Sequence, residues 1–169
     1  MILQRIVSGG QTGTDIAGLI AASHCGLATG GWIPKGWKTE TVPRPMYQAL
    51  FNLQETPSDG YIQRTEWNVR DSDGTLIIAK DYSSRGTQMT RSHCLALRKP
   101  LFCMAFSKSA AEGELTEYAI CDWIEKKNIQ ILNVAGNRES VAPGIQVWAT
   151  QALITIFKTL QERYTREDC

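Results

Sequence analysis

Three short apolar runs, 75–79 (TLIIA), 101–106 (LFCMAF) and 129–135 (IQILNVA), are separated by stretches with helical spacing. They do not alternate apolar with polar residues, so they read as strands buried on both faces of a parallel sheet. Parallel neighbours need a crossover, and the intervening stretches provide helices. One helix is expected over 87–98, ended by Pro100. Leu115, Ala119, Ile120, Trp123 and Ile124 mark a second, ending near Lys126-Lys127-Asn128. From Pro143-Gly144 onward, Trp148, Ala152, Ile156 and Leu160 recur at four-residue steps on a long closing helix. The expected fold is α/β: a Rossmann-like, doubly wound, mostly parallel sheet in a single three-layer domain. With 169 residues, 43% of them hydrophobic, the chain can build one core and is short for two. Residues 1–165 are therefore read as one ligand-binding domain. Fraying is expected from Arg163 onward, with 166–169 as a tail.

Near the start, Ile6-Val7 runs into Ser8-Gly9-Gly10-Gln11-Thr12-Gly13-Thr14-Asp15 and then into a helix marked by Ile16, Leu19, Ile20 and Ser23, which Gly26 stops. A strand, a glycine-rich bend and a helix in succession aim several backbone N–H groups at one place where a phosphate-sized anion can sit. The two threonines can cap the helix. The spacing Gly-Gly-x-x-Gly is neither the dinucleotide fingerprint nor a Walker loop, since no Lys-Ser/Thr follows the last glycine. If backbone donors dominate binding, Gly10→Val should abolish it and leave the fold largely intact.

Between the first helix and the first apolar run, 27–33 (LATGGWI) forms a weak strand closed by Pro34-Lys35-Gly36. Residues 37–56 show no steady period and read as a long excursion with one helical turn near 47–50. Ser58 or Asp59 can cap a further helix whose face carries Tyr61, Thr65 and Val69 and which ends near 71–74. In sheets of this kind ligands sit beyond the carboxyl ends of the strands. Three strands leave through unusual loops at that end, after Ser8, Ala79 and Ala135.

Those loops define the candidate ligand-binding residues. The first contributes Gly9, Gly10, Gln11, Thr12, Gly13, Thr14 and Asp15. The second, Ser83-Ser84-Arg85-Gly86-Thr87, repeats the small-residue theme and contributes Arg85, Gly86 and Thr87. The third contributes Gly136, Asn137, Arg138 and Glu139. Lys35, Arg85 and Arg138 each follow a strand and can complement backbone donors in holding phosphate. Asp15 either serves the helix dipole or bonds a ribose hydroxyl or base. Glu66 is either a surface partner of Arg70 or, if its helix leans over the pocket, a general acid. Asp71 and Asp73 either form an Asx turn or touch ligand, and Asp73 is carried as a ligand candidate.

Composition narrows the classes. Net charge is +1 and the 18 basic residues are scattered, which suits neither a nucleic-acid groove nor a membrane-binding face. Five cysteines, at 25, 94, 103, 121 and 169, form no Cys-x-x-Cys pair, a pattern of reduced intracellular thiols rather than a disulfide framework. His24-Cys25 and His93-Cys94 lie in helical runs where cysteine serves as a small core residue, so no metal site is expected. No apolar run approaches the roughly 20 residues of a membrane span, and 1–7 reads as a strand rather than a signal peptide. A cytoplasmic protein is expected, and the closing helix offers a face either for a homo-oligomer or for covering the sheet. No Ser-His-Asp order appears and no cysteine stands beside a base.

The stretches 8–15 (SGGQTGTD), 30–35 (GGWIPK), 64–77 (RTEWNVRDSDGTLI), 85–90 (RGTQMT) and 133–140 (NVAGNRES), with Pro143-Gly144, resemble in order those of the putative molybdenum carrier family. That family is related to the YpsA proteins within the superfamily of Rossmann-like lysine-decarboxylase-like (LOG) and DprA-like proteins. The resemblance implies a Rossmann-like domain binding a nucleotide-like or other phosphorylated ligand, and its name implies molybdate or molybdenum cofactor. Some relatives in the wider superfamily cleave nucleoside monophosphates at the N-glycosidic bond with a Pro-Gly-Gly-x-Gly-Thr-x-x-Glu motif. This chain departs from that motif: Ser8 stands in place of the proline, and Gly18 supplies no acid. The leading expectation is a binding protein for a nucleotide-derived ligand or oxyanion. The alternative is a nucleoside monophosphate phosphoribohydrolase with Glu66 or Asp15 as the acid.

Overall fold

The computed structural model describes residues 3–107 and 110–167; Met1, Ile2 and the final 168–169, Cys169 included, lie outside them. In chain order the elements are β1 (Arg5–Val7), α1 (Thr14–His24), β2 (Ala28–Ile33), α2 (Tyr47–Phe51), β3 (Leu53–Glu55), α3 (Tyr61–Arg70), β4 (Gly74–Ala79), α4 (Arg85–Ala96), β5 (Leu101–Ala105), α5 (Ala110–Lys126), β6 (Ile131–Gly136) and α6 (Ile145–Glu167). The strands form one open six-stranded sheet in the order β3-β2-β1-β6-β4-β5. Every pairing is parallel, so the expected mostly parallel sheet is wholly parallel.

From β1 the chain moves outward to β2 and β3, then crosses to the other half of the sheet for β4 and β5, and returns to place β6 between β1 and β4. Right-handed crossovers running in opposite directions put their helices on opposite faces. Accordingly α1 and α5 both pack on α6 in one layer, and α3 packs on α4 in the other. The loops leaving β1, β6 and β4 are thereby gathered at the reversal of strand order, where open α/β sheets bind ligands.

The core explains the strands. All six residues of β4 are buried, and Leu76, Ile78, Leu132 and Val134 pack with Ala149, Leu153, Ile156 and Phe157 of α6. The apolar face of α6 is thus committed to covering α1 and the sheet. A smaller cluster joins Ile16 and Leu19 of α1 to Ile33 and Leu53. Among the described residues no helix is long and apolar enough to cross a membrane.

Several local expectations are corrected. The excursion after Gly36 contains β3, a strand of three residues in which only Leu53 is buried, paired with Gly31–Ile33. Asn52, in left-handed conformation at φ 54°, turns the chain from α2 into it. With one apolar residue β3 has no period of its own, and its identity comes from the neighbouring strand. β5 is an edge strand with Cys103 and Ala105 exposed, not a strand buried on both faces. Neither threonine caps α1: its N-cap is Gly13, and the Thr14 hydroxyl donates to the Ile78 carbonyl at 3.0 Å. The N-cap of α3 is Gly60, not Ser58 or Asp59. The closing helix continues past Arg163 to Glu167, because Arg163 is anchored to Asp122 at 2.9 Å and Glu125 at 2.8 Å on α5.

Candidate functional site

A cleft of about 560 Å³ opens at the carboxyl ends of β1, β4 and β6. One wall is the first turn of α3, with Gly60, Tyr61, Ile62, Arg64 and Thr65. The other is the start of α4, with Ser84, Arg85, Gly86, Met89 and Thr90. Gln11 and Asp15 from the first glycine loop, and Ala135 to Arg138 with Val141 from the loop after β6, complete the lining. Of the residues expected to bind ligand, Gln11, Asp15, Arg85, Gly86, Gly136, Asn137 and Arg138 meet here.

The remaining candidates do not line the cleft. Gly9, Gly10 and Gly13 admit protein atoms. A β-carbon on Gly9 would lie 1.9 Å from Arg64 Nη1, and one on Gly10 would lie 2.8 Å from Leu53 Cδ1. On Gly13 it would meet the Asn137 carbonyl at 2.4 Å. Gly10 and Gly13 also have φ of 69° and 77°, the left-handed region that glycine enters freely. Gly10→Val therefore strikes packing and backbone together, and the expectation that it would spare the fold is corrected. Lys35 is exposed on the loop after β2, where its amide bonds the Ser58 carbonyl. Asp73 sits at the amino end of β4, the opposite end of the sheet. There its Oδ2 accepts the Gln130 and Ile131 amides at 3.0 and 2.8 Å. Glu66 is exposed outside the lining, so the geometry gives it no general-acid role.

Asn137 is the brace of the site. Its Oδ1 accepts the Lys80 and Asp81 amides, both at 2.9 Å, and its Nδ2 donates to Asp81 O, Ser84 Oγ and Thr87 Oγ1 at 2.9–3.2 Å. A buried amide with every polar atom engaged fixes the loop before α4 against the loop after β6. Thr87 is buried behind the cleft as part of that brace. Glu139 accepts the Gly144 and Gln146 amides and so caps the start of α6.

Glu40, which the irregular sequence around it hides, clasps the excursion onto the site. Its carboxylate accepts from Thr12 Oγ1, from Ser140 Oγ and from the Ser140 amide at 3.3 Å, and lies 3.8 Å from Arg138 Nη1. Burial works to raise its pKa, but the two hydroxyls, the amide and Arg138 together outweigh this and hold it below the ordinary 4.5. Gln11 Oε1 completes the clasp by accepting the Glu40 amide at 2.8 Å.

On the floor, Asp15 Oδ2 receives Arg64 Nη1 at 3.0 Å, with side-chain exposures of 5% and 13%. Burial raises the Asp15 pKa against the opposing pull of Arg64 and of the Gln11 and Gly9 amides. Removing one partner of such a pair strands a buried charge, at a cost of about 3–5 kcal/mol. Arg64 Nε is buried without a hydrogen-bond partner, the one such side-chain atom among the described residues. Sequence reasoning missed Arg64 as a site residue. Tyr61, Arg64 and Thr65 stand at i, i+3 and i+4 on one helical face, a signal that becomes useful once that face is known to meet the loops.

Residues 6–157 match the Circularly permutated YpsA SLOG family. Among solved structures the chain is similar to the crystal structure of a putative molybdenum carrier protein from Syntrophus aciditrophicus SB. The two share 36% identity and a TM-score of 0.83, over 92% of this chain and 95% of that one. A comparison with curated proteins finds no match. The six-stranded sheet and the family match over most of its length agree: this chain belongs to the circularly permutated YpsA SLOG family.

Proposed function

We propose that the protein binds a small phosphorylated, nucleotide-like ligand in this cleft. The observation that carries the reading is that one cleft of about 560 Å³ joins exposed Arg85 and Arg138 to the apolar side chains of Ile62, Met89 and Val141. That volume falls within the range of small-molecule sites and is far more than a four-oxygen anion fills. The first turn of α4, whose N-cap Ser84 makes no side-chain cap, adds the positive end of a helix beside the two arginines. Phosphate suits that end, and a planar ring suits the apolar wall.

The molybdenum in the name of the similar bacterial protein defines the competing ligand. Guanidinium and N–H donors suit molybdate, an oxyanion, rather than a bare metal cation. Molybdate would use the arginine end and leave the apolar wall uncovered. Binding is favoured over N-glycosidic cleavage because Glu66 lies outside the cleft and Asp15 is engaged by Arg64.

Native mass spectrometry of the freshly purified protein, followed by calorimetric titration with AMP and with molybdate, tests the reading. AMP should bind, and Arg138→Ala should weaken it about tenfold, the loss of one charge-assisted contact. Molybdate that binds while AMP and other nucleotides do not would overturn the reading in favour of an oxyanion site.

A further inference from the structure

Resting on that reading, we propose that Arg64 recognises the uncharged polar part of the ligand. It donates its Nε–H to an acceptor such as a sugar oxygen, a ring nitrogen or a carbonyl, while Arg85 and Arg138 hold the phosphate.

Three observations divide the arginines in this way. The charge of Arg64 is matched at close range: Asp15 takes Nη1 at 3.0 Å in a buried pair, whereas Arg85 lies exposed at the cleft and Arg138, also exposed, has only the longer 3.8 Å contact with Glu40. A neutralised pair attracts a second anion poorly, but it still offers directed donors. Arg64 lines the cleft, and its Nε–H is a buried donor that no protein group satisfies. Buried donors are nearly always satisfied, and a ligand acceptor in the cleft would do it.

The guanidinium is also held in place before any ligand arrives. Tyr61 lies against it with its ring centroid 5.6 Å from Arg64 Cζ. Gly9 leaves the space in which Nη1 sits, since a β-carbon there would come within 1.9 Å. Asp15 and Gly9 are thus positioning residues for Arg64. A lysine could still neutralise Asp15 but has no Nε–H fork, so Arg64→Lys separates charge from directed hydrogen bonding.

The test is calorimetric titration of wild type, Arg64→Lys and Arg138→Ala with AMP, ribose 5-phosphate and inorganic phosphate. Arg64→Lys should weaken AMP at least tenfold and change phosphate less than twofold, while Arg138→Ala weakens all three. An equal loss for ribose 5-phosphate makes the acceptor a sugar oxygen, and a loss confined to AMP places it on the base. The inference is overturned if Arg64→Lys leaves AMP unchanged or weakens phosphate as much as AMP. A second measurement on the wild-type protein avoids any cost to folding: the Arg64 Nε–H proton resonance should move downfield with AMP and stay in place with phosphate. An unmoved resonance in AMP-bound protein also overturns it. Wild type that binds neither AMP nor ribose 5-phosphate overturns the nucleotide reading itself, and AMP binding indifferent to Arg64 overturns only this inference.

Discussion

The first and second glycine loops look alike in the sequence and do opposite work. In Ser8–Asp15 the space left by glycine is filled by the protein: Arg64 beside Gly9, Leu53 and Ile33 beside Gly10, the loop after β6 beside Gly13. In the second loop Gly86 is exposed, lines the cleft, and would meet nothing within 4 Å if it carried a β-carbon. The first loop is a keystone on which side chains converge, and the second is a rim facing the open cleft. A glycine-rich loop at a strand end therefore specifies close approach without specifying what approaches.

The sharpest way to break this contrast is to fill a glycine in each loop. Gly10→Val imposes a β-branched residue at φ 69° and drives atoms into Leu53 and Ile33. A loss of about 3–5 kcal/mol is expected from overpacking and left-handed strain combined, read by chemical denaturation. A variant as stable as wild type would show that the first loop is not a keystone. Next, Asn137→Ala removes the brace between the two other loops and leaves the Lys80 and Asp81 amides without their acceptor. It should cost about 2–4 kcal/mol in the same assay.

Glu40→Gln is expected to cost less, about 1–2 kcal/mol at neutral pH, because the amide keeps part of the clasp. Its pH dependence has a definite sign. The folded pKa of Glu40 is lowered, so its contribution is fully present above the unfolded value near 4.5 and disappears as pH falls through the lower folded value. The stability gap between wild type and Glu40→Gln should close over that acid window, and a gap that widens there would refute the ionised clasp. The smallest effect belongs to Gly86→Ala. In open space within α4, alanine should stabilise the protein by about 0.5–1 kcal/mol through helix propensity, seen as a modest rise in Tm.

The fold was largely legible because its signals are local. The run at 75–79 lies within β4, the run at 129–135 overlaps β6, and Gly26 at φ 70° follows the end of α1. The site was legible only in part. Arg85, Gly86 and Arg138 stand at the carboxyl ends of strands and line the cleft, whereas Asp73 precedes its strand, and the turn chemistry around it does not reveal that this is the opposite end of the sheet. Arg64 and Glu40 gave no loop signal, since one lies in a helix and the other in an irregular segment.

By itself the sequence determined a parallel α/β sheet with three small-residue loops at one end, because burial period and turn chemistry act between near neighbours in the chain. Only the tertiary structure decided that Leu53 belongs to a strand, that Arg64 fills the space beside Gly9, and that Glu40 reaches Ser140 across 100 residues. Those outcomes depend on which surfaces are brought together by the crossover from β3 to β4 and the return to β6. A contact between distant segments has no period along the chain, so it becomes readable only once the sheet order is known.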